Sequence, residues 1–402
     1  MRVAIIGGGA AGFFAAISAK ANHPDSEVTI FEKSQKVLSK VKVSGGGRCN
    51  VTNGTTSIGE LVKGYPRGGK QLKKAFSEFS TQDTMDWFES RNVALYVQPD
   101  NRVFPRSNDS QTIIDCLMNE VTRLGIRVKL GIGITSVKPS KNQLELTFAD
   151  ADVQTFDKVI VAAGGSPNRK GFDWLEVLGH RIEEPVPSLF TFNMPSEPIT
   201  ELMGVVVERT QVNIQGTKLR AEGPLLVTHW GMSGPAILKL SAFGARTLHG
   251  MGYDLKVQVN WADELNNERV MGELILVAGQ HPNKLLSNMR PFALPERMWL
   301  HLLSKCELEP TKKWSELGKK GMNKLVNILT NDVHEVKGKT TFKEEFVTCG
   351  GISLENVNFN TMESRVCKNL YFAGEILDVD GITGGYNFQA AWTTGFIAGK
   401  LN

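Results

Sequence analysis

The feature that most restricts the fold lies in the first 32 residues. Residues 7–12 read GGGAAG, the spacing G-x-G-x-x-G, and they directly follow a β-branched run at Arg2–Ile6. Phe13–Ala21 has helical composition, and Val28–Phe31 predicts a second strand that ends at Glu32. A strand, a glycine turn, a helix and a strand, with an acid about 20 residues beyond the turn, are the full context of a dinucleotide-binding βαβ unit.

Each position of the glycine turn has a physical role. Gly7 allows the tight turn, Gly9 lets a pyrophosphate approach the backbone, and Gly12 permits close packing of helix and strand. The free N–H groups and the dipole of the helix start attract phosphate. The turn therefore predicts where a dinucleotide binds.

Glu32 and the adjacent Lys33 follow the second strand. The Glu32 carboxylate can accept hydrogen bonds from both hydroxyls of an adenosine ribose, and it would repel a 2′-phosphate. This argues against NADP at the site. The βαβ unit alone leaves both NAD and FAD open.

Three later segments favour FAD. Residues 44–53 read SGGGRCNVTN, a glycine nest that forms an anion cradle and to which Arg48 adds charge. Lys158–Ala163 is an apolar strand ending in a glycine pair, and Asn369–Ala373 is another, followed by a glycine turn and a helix at Phe388–Lys400. Because an NAD site needs only the first βαβ unit, a second strand–turn–helix from the far end suits a longer cofactor.

The chain resembles the glutathione-reductase-type FAD flavoproteins and, within them, the bacterial aminoacetone-oxidase-like (YhiN-type, BaiN-like) family. The resemblance runs through KVSGGGRCNVTN at 42–53, RVFP at 102–105, GPLLVTHWGMSGPAIL at 223–238, TCGG at 348–351, TMES at 361–364 and LYFAGEILDVDGITGGYNFQAAW at 370–392.

The resemblance implies an α/β fold with a Rossmann-like FAD-binding domain of the glutathione-reductase type. This domain is expected to be discontinuous, at 1–188 and 340–402. A β-rich inserted domain is expected at 189–260 and a small helical domain at 261–339.

The same resemblance implies how FAD is held. The first βαβ unit binds the AMP half, Ile134 meets the adenine through its backbone, and Glu375 meets the ribityl chain. The turn at 385–387 faces the pyrimidine edge of the flavin, where the missing Cβ of Gly385 allows close approach. The residues expected to contact FAD are Gly7, Gly9, Ala10, Ala11, Gly12, Glu32, Lys33, Gly46, Gly47, Arg48, Cys49, Asn50, Ile134, Ala163, Gly164, Gly165, Gly374, Glu375, Gly385, Tyr386 and Asn387.

The expected function is hydride transfer between flavin N5 and a small organic substrate, with O2 or NAD(P)H as the other redox partner. The family suggests amine oxidation of the aminoacetone type or reduction of an unsaturated steroid-like substrate, and the residues do not choose between them. A flavin-dependent RNA-modifying or RNA-associating protein is the alternative, and a non-catalytic flavin-binding module is a third. Lysines surround Trp314, at 312, 313, 319, 320 and 324, although a solvated helix face accounts for them as well.

His229 is the one candidate for catalytic acid or base, and a structural turn histidine is the competing interpretation. Beside it, residues 231–235 read GMSGP, in which Pro235 stands where the hydrolase motif G-x-S-x-G needs glycine. We therefore expect Ser233 to cap a helix over Ala236–Leu248.

Composition excludes further classes. The five cysteines show no C-x-x-C spacing, so neither a metal site nor a disulfide framework is predicted. Cys49 and Cys349 are expected to be packing residues, because the C-x4-C pair of disulfide reductases is missing. The net charge of +4 is too small to indicate a nucleic-acid surface. No apolar run approaches the ~18–20 residues that span a bilayer, and the scattered cysteines suit a cytoplasmic protein.

Overall fold

A computed structural model describes residues 1–264, 266–340 and 347–402. The α-helices of this part of the chain are, in order, α1 (Ala10–Asn22), α2 (Ser39–Gly47), α3 (Ile58–Leu61), α4 (Gly69–Ala75), α5 (Thr81–Glu89), α6 (Gln111–Arg123), α7 (Asp173–Glu176), α8 (Pro235–Gly250), α9 (Asn267–Gln280), α10 (Glu296–Lys305), α11 (Gly318–Thr330) and α12 (Tyr386–Ala398). The strands are β1 (Arg2–Ile6), β2 (Glu27–Glu32), β3 (Thr52–Asn53), β4 (Leu95–Val97), β5 (Arg102–Pro105), β6 (Arg127–Leu130), β7 (Ile134–Ser140), β8 (Gln143–Phe148), β9 (Val153–Phe156), β10 (Lys158–Val161), β11 (Ile182–Ser188), β12 (Thr191–Asn193), β13 (Val206–Ile214), β14 (Arg220–Thr228), β15 (Gly231–Ser233), β16 (Asp254–Asn260), β17 (Asp332–Lys337), β18 (Lys339–Thr340), β19 (Val347–Ile352), β20 (Val357–Asn358), β21 (Glu363–Ser364) and β22 (Leu370–Phe372).

The chain divides into two compact units. The first comprises Met1–Ser188 and Lys343–Asn402, and the second comprises Leu189–Phe342. The second unit holds both stretches that the sequence suggested as separate domains, 189–260 and 261–339. Strand residues such as Val257 and helix residues such as Trp299 belong to one apolar core in this unit. The border expected at 260/261 therefore runs through a single core.

The main sheet of the first unit has the strand order β20-β21-β22-β10-β1-β2-β6. The five strands from β22 to β6 are parallel, with Val3 opposite Val28 and Lys158. The side chains of Val3 and Ile5 in the central strand β1 are fully buried, as expected for a parallel sheet covered on both faces. This confirms the predicted Rossmann fold. It also places the carboxyl ends of β1, β2, β10 and β22 at one edge, where such sheets bind ligands.

Two helices pack together in the first unit at very short range. A Cβ at Gly395 of α12 would lie 2.6 Å from the carbonyl oxygen of Ala11, and one at Gly399 would lie 2.5 Å from that of Ala15. Both glycines are therefore required by the contact between α1 and α12. The helix from the far end of the chain is thereby held against the dinucleotide turn.

Three smaller sheets complete the first unit. The stretch 127–156 contributes β6 to the main sheet and forms a separate antiparallel sheet, β7-β8-β9. The other two are the sheet β3-β5-β4 and the pair β11-β19. No helix in the described ranges combines the length and the apolar character needed to cross a membrane.

The second unit is built on an antiparallel sheet with the order β17-β16-β13-β14-β15-β12-β18. Helix α8 includes all of the predicted Ala236–Leu248, but the expected cap is wrong. Its N-cap is Gly234, with φ +92° and no side-chain hydrogen bond. Ser233 instead ends β15, opposite Leu226, because the strand continues up to the helix.

A buried polar cluster in the second unit centres on His334. Its Nδ1 lies 2.9 Å from Glu197 Oε2, and its Nε2 lies 2.9 Å from Asp332 Oδ2. Asp332 also accepts a hydrogen bond of 2.9 Å from Trp261 Nε1 and pairs with Lys305. Burial alone would lower the pKa of His334, but the hydrogen bonds to the two carboxylates outweigh it and raise that pKa.

We expect His334→Gln to lower the free energy of unfolding by about 1–3 kcal/mol, because it leaves buried carboxylate oxygens short of donors. Since the folded state raises the pKa of His334, the imidazolium stabilises the fold below the unfolded pKa of about 6.5 and loses this effect as pH rises past the folded pKa. Urea unfolding should therefore show a larger difference between wild type and variant at pH 6 than at pH 9. An equal difference at both pH values would contradict the assignment.

Candidate cofactor site

The glycine turn of the first unit is fixed at two positions and open at a third. A Cβ at Gly7, where φ is +112°, would lie 2.3 Å from the Ala162 carbonyl oxygen. A Cβ at Gly12 would lie 1.9 Å from the Gly7 carbonyl oxygen. At Gly9, by contrast, no atom of the described residues lies within 4 Å of such a Cβ, and φ is −92°. Gly9 therefore faces open space that a side chain would occupy.

Gly9 is also the N-cap of α1, and no side chain makes a capping hydrogen bond at this helix start. The N–H of Phe13 makes the first intrahelical bond, to the Gly9 carbonyl oxygen at 3.0 Å. The N–H groups of Ala10 and Ala11 precede that bond, so they belong to the helix start whose amides suit an anion. This is the geometry that a dinucleotide pyrophosphate needs.

Glu32 ties the turn to the end of β2. Its Oε2 accepts the Gly8 N–H at 2.8 Å, and its Oε1 accepts the Ser34 N–H at 2.8 Å. The sequence did not reveal this structural role. Each carboxylate oxygen has a second lone pair, so both retain acceptor capacity for ribose hydroxyls. The Ile132 N–H donates to the Glu32 carbonyl at 2.9 Å, which brings the start of β7 at Ile134 alongside.

The segment Ala163, Gly164 and Gly165 lies between the glycine turn and the C-terminal strand–turn–helix. The ideal Cβ position of Gly7 lies 2.9 Å from Ala163 Cα, and that of Gly165 lies 3.6 Å from the Glu375 carbonyl oxygen. Gly164 has φ +76° and no described atom within 4 Å of its Cβ position. The sheet edge thus carries a second open glycine.

A glycine nest forms the C-terminal end of α2. The backbone of Gly45, Gly46 and Gly47 is left-handed, with φ of +58°, +67° and +84°. Gly45 is crowded by Phe104 and Asn50, whereas Gly46 and Gly47 have no described atom within 4 Å of a Cβ position. Successive amides in such a nest form an anion-binding concavity. The predicted cradle is therefore present and open.

The residues after the nest hold it in place. Arg48 donates through Nε to the Gly45 carbonyl at 3.2 Å, and its guanidinium carbon lies 4.2 Å from the Phe104 ring centroid. Cys49 is fully buried, and Asn50 Oδ1 accepts the Val103 N–H at 3.3 Å. Arg48, Cys49 and Asn50 thus shape the cradle through contacts within the protein.

The thiols fit a packing role. All five cysteines are buried. Burial raises the pKa of the Cys49 thiol to about 12, although a hydrogen bond with Ser44 acts in the opposite direction. A thiol of that pKa stays protonated and unreactive near neutral pH.

We expect the flavin to be the only two-electron centre of the protein. Cys49→Ala and Cys349→Ala, singly and together, should leave an anaerobic reductive titration at two electrons per FAD, as in wild type. Uptake of four electrons by wild type, reduced to two in either variant, would show a redox-active thiol pair instead.

The turn after β22 joins the site from the far end of the chain. A Cβ at Gly374, where φ is +76°, would lie 2.8 Å from Ala11 Cβ, and the Gly374 N–H donates to Thr394 Oγ1 at 2.9 Å. Glu375 pairs with the ammonium of Lys40 in α2. Lys40 is a site residue that the sequence missed, because nothing local distinguishes it from neighbouring lysines.

The turn at 384–387 corrects one expectation. A Cβ at Gly385, where φ is +88°, would lie 2.2 Å from the Thr52 carbonyl oxygen. The backbone of β3 therefore fills the space beside Gly385. A glycine is required at this position because β3 packs too closely for any side chain. The amide of Asn387 is engaged on both sides, since Oδ1 accepts the Gly381 N–H at 2.8 Å and Nδ2 donates to the Gly381 carbonyl at 2.9 Å.

Tyr386 is the first residue of α12, and contacts with Tyr65 and Gly64 fix its position. Its carbonyl oxygen accepts a hydrogen bond of 2.7 Å from the Tyr65 hydroxyl, and its ring lies over Gly64. The N–H of Gln389 makes the first intrahelical bond, to Gly385. The side chains of this turn thus fix the helix start, whose leading amides are available to a ligand.

A buried ion pair that the sequence did not predict anchors the same turn. Arg67 pairs with both oxygens of Asp380, which is fully buried and also accepts the Ser188 hydroxyl at 2.7 Å. Burial alone would lower the pKa of Arg67, but its contacts with Asp380 outweigh this and raise it. Just beyond, the Ile382 N–H donates to the Gly64 carbonyl at 2.9 Å.

His229 belongs to the second unit, in the loop between β14 and β15. Its ring is exposed and lies edge-to-face with Trp230, with centroids 4.1 Å apart. Its role as acid or base stays a prediction. The exposed Lys33 and the half-buried Ile134 likewise remain predicted cofactor contacts.

The arrangement fits FAD. The site has two open glycine cradles, at Gly9 and at Gly46–Gly47. Gly165 packs against Glu375, and Glu375 pairs with Lys40 of the helix that ends in the second cradle. Each cradle offers backbone amides, and no described side chain fills it. An extended dinucleotide, with a pyrophosphate between two aromatic ends, suits this arrangement better than a mononucleotide.

Comparisons with known proteins agree with this geometry. The family model described as "HI0933-like protein Rossmann domain" matches residues 1–401. The 3-dehydro-bile acid delta(4,6)-reductase of Clostridium scindens is 28% identical over 99% of this chain and 98% of its own. The ribosomal RNA dihydrouridine synthase of Escherichia coli is 29% identical over 97% of this chain and 95% of its own.

Solved structures support the fold. A 3-ketosteroid delta1-dehydrogenase from Sterolibacterium denitrificans superposes with a TM-score of 0.52 at 12% identity, covering 99% of this chain and 98% of its own. A flavocytochrome c3 fumarate reductase superposes with a TM-score of 0.50 at 15% identity, covering 100% of this chain and 77% of its own. Because this family model covers almost the whole chain, the chain belongs to the HI0933-like family of FAD-dependent oxidoreductases.

Proposed function

We propose that this FAD-dependent oxidoreductase reduces a carbon–carbon double bond conjugated with a carbonyl group. The observation that carries the proposal is the chemistry shared by its two named full-length relatives. The names specify a reductase of 3-dehydro-bile acid double bonds and a synthase of dihydrouridine. In a 3-oxo-4-ene steroid and in uracil alike, the reducible double bond is polarised by an adjacent carbonyl, so its β-carbon accepts hydride.

FAD, when bound and reduced, supplies that hydride from N5, and the α-carbon takes a proton. The chain's own contribution is to hold fixed dipoles. The positive end of the α12 dipole and the leading amides of this helix would stabilise the negative charge of a reduced flavin bound beside them. Tyr65 and Asn387 lock this helix start through the Tyr386 carbonyl and Gly381. Asn53 adds a hydrogen bond of 2.9 Å to the Gly384 carbonyl.

We take NAD(P)H as the reductant. The sequence contains one dinucleotide fingerprint, at residues 7–12, and we assign it to FAD. NAD(P)H must then bind transiently, without a Rossmann domain of its own. Amine oxidation by O2 is the competing reaction that the family resemblance leaves open.

The test is anaerobic incubation of the holoprotein with NADH or NADPH and a panel of substrates. The anaerobic panel contains a 3-oxo-4-ene steroid and a uridine-containing ribosomal RNA fragment. A separate aerobic assay, without NAD(P)H, supplies aminoacetone and O2. We expect a product that has gained two hydrogen atoms from one of the first two. Turnover of aminoacetone alone, with release of hydrogen peroxide, would contradict the proposal.

The RNA substrate has one specific observation in its favour. An open surface patch on α11 carries three lysines and two asparagines, Lys319, Lys320, Asn323, Lys324 and Asn327. Positions 319, 323 and 327 recur every four residues and therefore share a helix face. Lys324 is partly committed to an ion pair of 2.8 Å with Glu307. The positive charge of this patch suits the phosphates of a nucleic acid.

Charge reversal separates the two substrate classes. With an RNA substrate, Lys319→Glu combined with Lys320→Glu should weaken RNA binding at least tenfold and flatten its salt dependence. Lys218→Glu, which reverses an exposed charge on the turn between β13 and β14, is the matched control. If the double variant binds RNA as tightly as wild type, the RNA substrate is contradicted, and the steroid-like substrate remains as the proposal.

A further inference from the structure

The ion pair between Lys40 and Glu375 joins two stretches that are 335 positions apart. Lys40 Nζ lies 2.5 Å from Glu375 Oε2. Lys40 lies in the first turn of α2, and this helix runs into the glycine nest. Glu375 follows Gly374, which packs against Ala11 at the start of α1. The pair therefore connects the helix that carries the glycine nest with the turn that packs against the start of α1.

The position of Glu375 raises an electrostatic problem. Its side chain is only 16% exposed, so water screens its charge poorly. A dinucleotide pyrophosphate carries two negative charges, and a carboxylate close to its path would repel it. A carboxylate at this position is compatible with pyrophosphate binding only if a nearby cation neutralises its charge.

Lys40 supplies the balance. Its side chain is 55% exposed, so the pair contributes little to the stability of the fold. A structural role is therefore a poor explanation for the contact. An electrostatic role toward the ligand explains why a cation reaches from α2 to this carboxylate.

We propose that Lys40 is a positioning residue for FAD binding, which cancels the charge of Glu375 and lets a carboxylate stand beside the pyrophosphate. The inference concerns cofactor retention and is independent of the reaction that the protein catalyses. It requires no step of catalysis, and FAD affinity tests it without any substrate.

The experiment compares two lysines of the same helix. Lys42 has a similar exposure of 52% and an ion pair of 3.7 Å with Asp109, away from Glu375. In the full-length protein, Lys40→Gln should raise the dissociation constant of FAD about tenfold or more, and more strongly at low ionic strength. Lys42→Gln should change it less than about twofold. Flavin fluorescence, which rises on release, gives both constants.

Two further variants make the result decisive. Lys40→Gln combined with Glu375→Gln should recover most of the affinity, because the unbalanced carboxylate is gone while an amide oxygen still accepts a hydrogen bond. Lys40→Arg keeps the charge and should bind FAD like wild type. Equal affinities in Lys40→Gln and Lys42→Gln would overturn the proposal. So would a double variant as weak as Lys40→Gln, or a Lys40→Arg variant that binds as poorly.

Discussion

Gly9→Val is expected to abolish FAD binding and to leave the chain folded. No described atom lies within 4 Å of a Cβ at Gly9, and its φ of −92° is accessible to any residue, so the fold tolerates the side chain. The same side chain occupies the space in front of the α1 amides, where the pyrophosphate approaches. We expect the FAD affinity to fall at least a hundredfold, or about 2.7 kcal/mol. The purified variant should be colourless, with a thermal midpoint matching that of FAD-free wild type.

Gly12→Val is the contrasting variant. Its Cβ would meet the Gly7 carbonyl oxygen at 1.9 Å, so it disrupts the turn itself and should destabilise the protein. Near-complete FAD occupancy in Gly9→Val would show that the pyrophosphate is bound elsewhere.

Asp380→Ala is expected to cost about 3–5 kcal/mol of unfolding free energy. Asp380 is fully buried, and its removal leaves the Arg67 guanidinium, whose side chain is 14% exposed, without its carboxylate. The Ser188 hydroxyl loses its acceptor as well. Urea unfolding measures the loss.

Asp109→Ala serves as the control, because its ion pair with Lys42 is 59% exposed on the carboxylate side and should cost no more than about 1 kcal/mol. Arg67→Met combined with Asp380→Leu removes both charges and should recover much of the stability lost in Asp380→Ala. A loss below about 1 kcal/mol in Asp380→Ala would mean that other groups stabilise the Arg67 charge when Asp380 is removed.

The sequence predicted the Rossmann core because its constraints are local. The spacing of glycines at 7, 9 and 12 reflects one turn and its contacts with one neighbouring strand, and β1 has the predicted bounds Arg2–Ile6. Helix α1 begins at Ala10, earlier than the predicted Phe13, because Gly9 is the cap. A glycine cap gives no side-chain signal that would mark the boundary.

The contacts that complete the site could not be predicted from the sequence, because they join residues far apart in the chain. Arg67 and Asp380 are 313 residues apart, and neither stands out among the other charged residues. Gly385 was interpreted as a point of cofactor approach, whereas the backbone of Thr52 fills that space. Only the packing of β3 against the start of α12 reveals this, and no periodicity encodes it.

The compact units do not divide at the change of composition near residue 260. Composition changes from β-rich to helical near residue 260, which suggested two domains. The strands and helices nevertheless bury their apolar faces against each other in one core, so the change in secondary structure is not a change of unit.

The most direct test of the central claim is a single turnover of the flavin. The holoprotein is reduced anaerobically, mixed with a 3-oxo-4-ene steroid or a uridine-containing ribosomal RNA fragment, and followed at the flavin absorbance band. The proposed function predicts that one of these substrates restores the oxidised flavin spectrum and gains two hydrogen atoms for each flavin reoxidised. A flavin that stays reduced with both substrates, yet reoxidises when O2 is admitted, would contradict it.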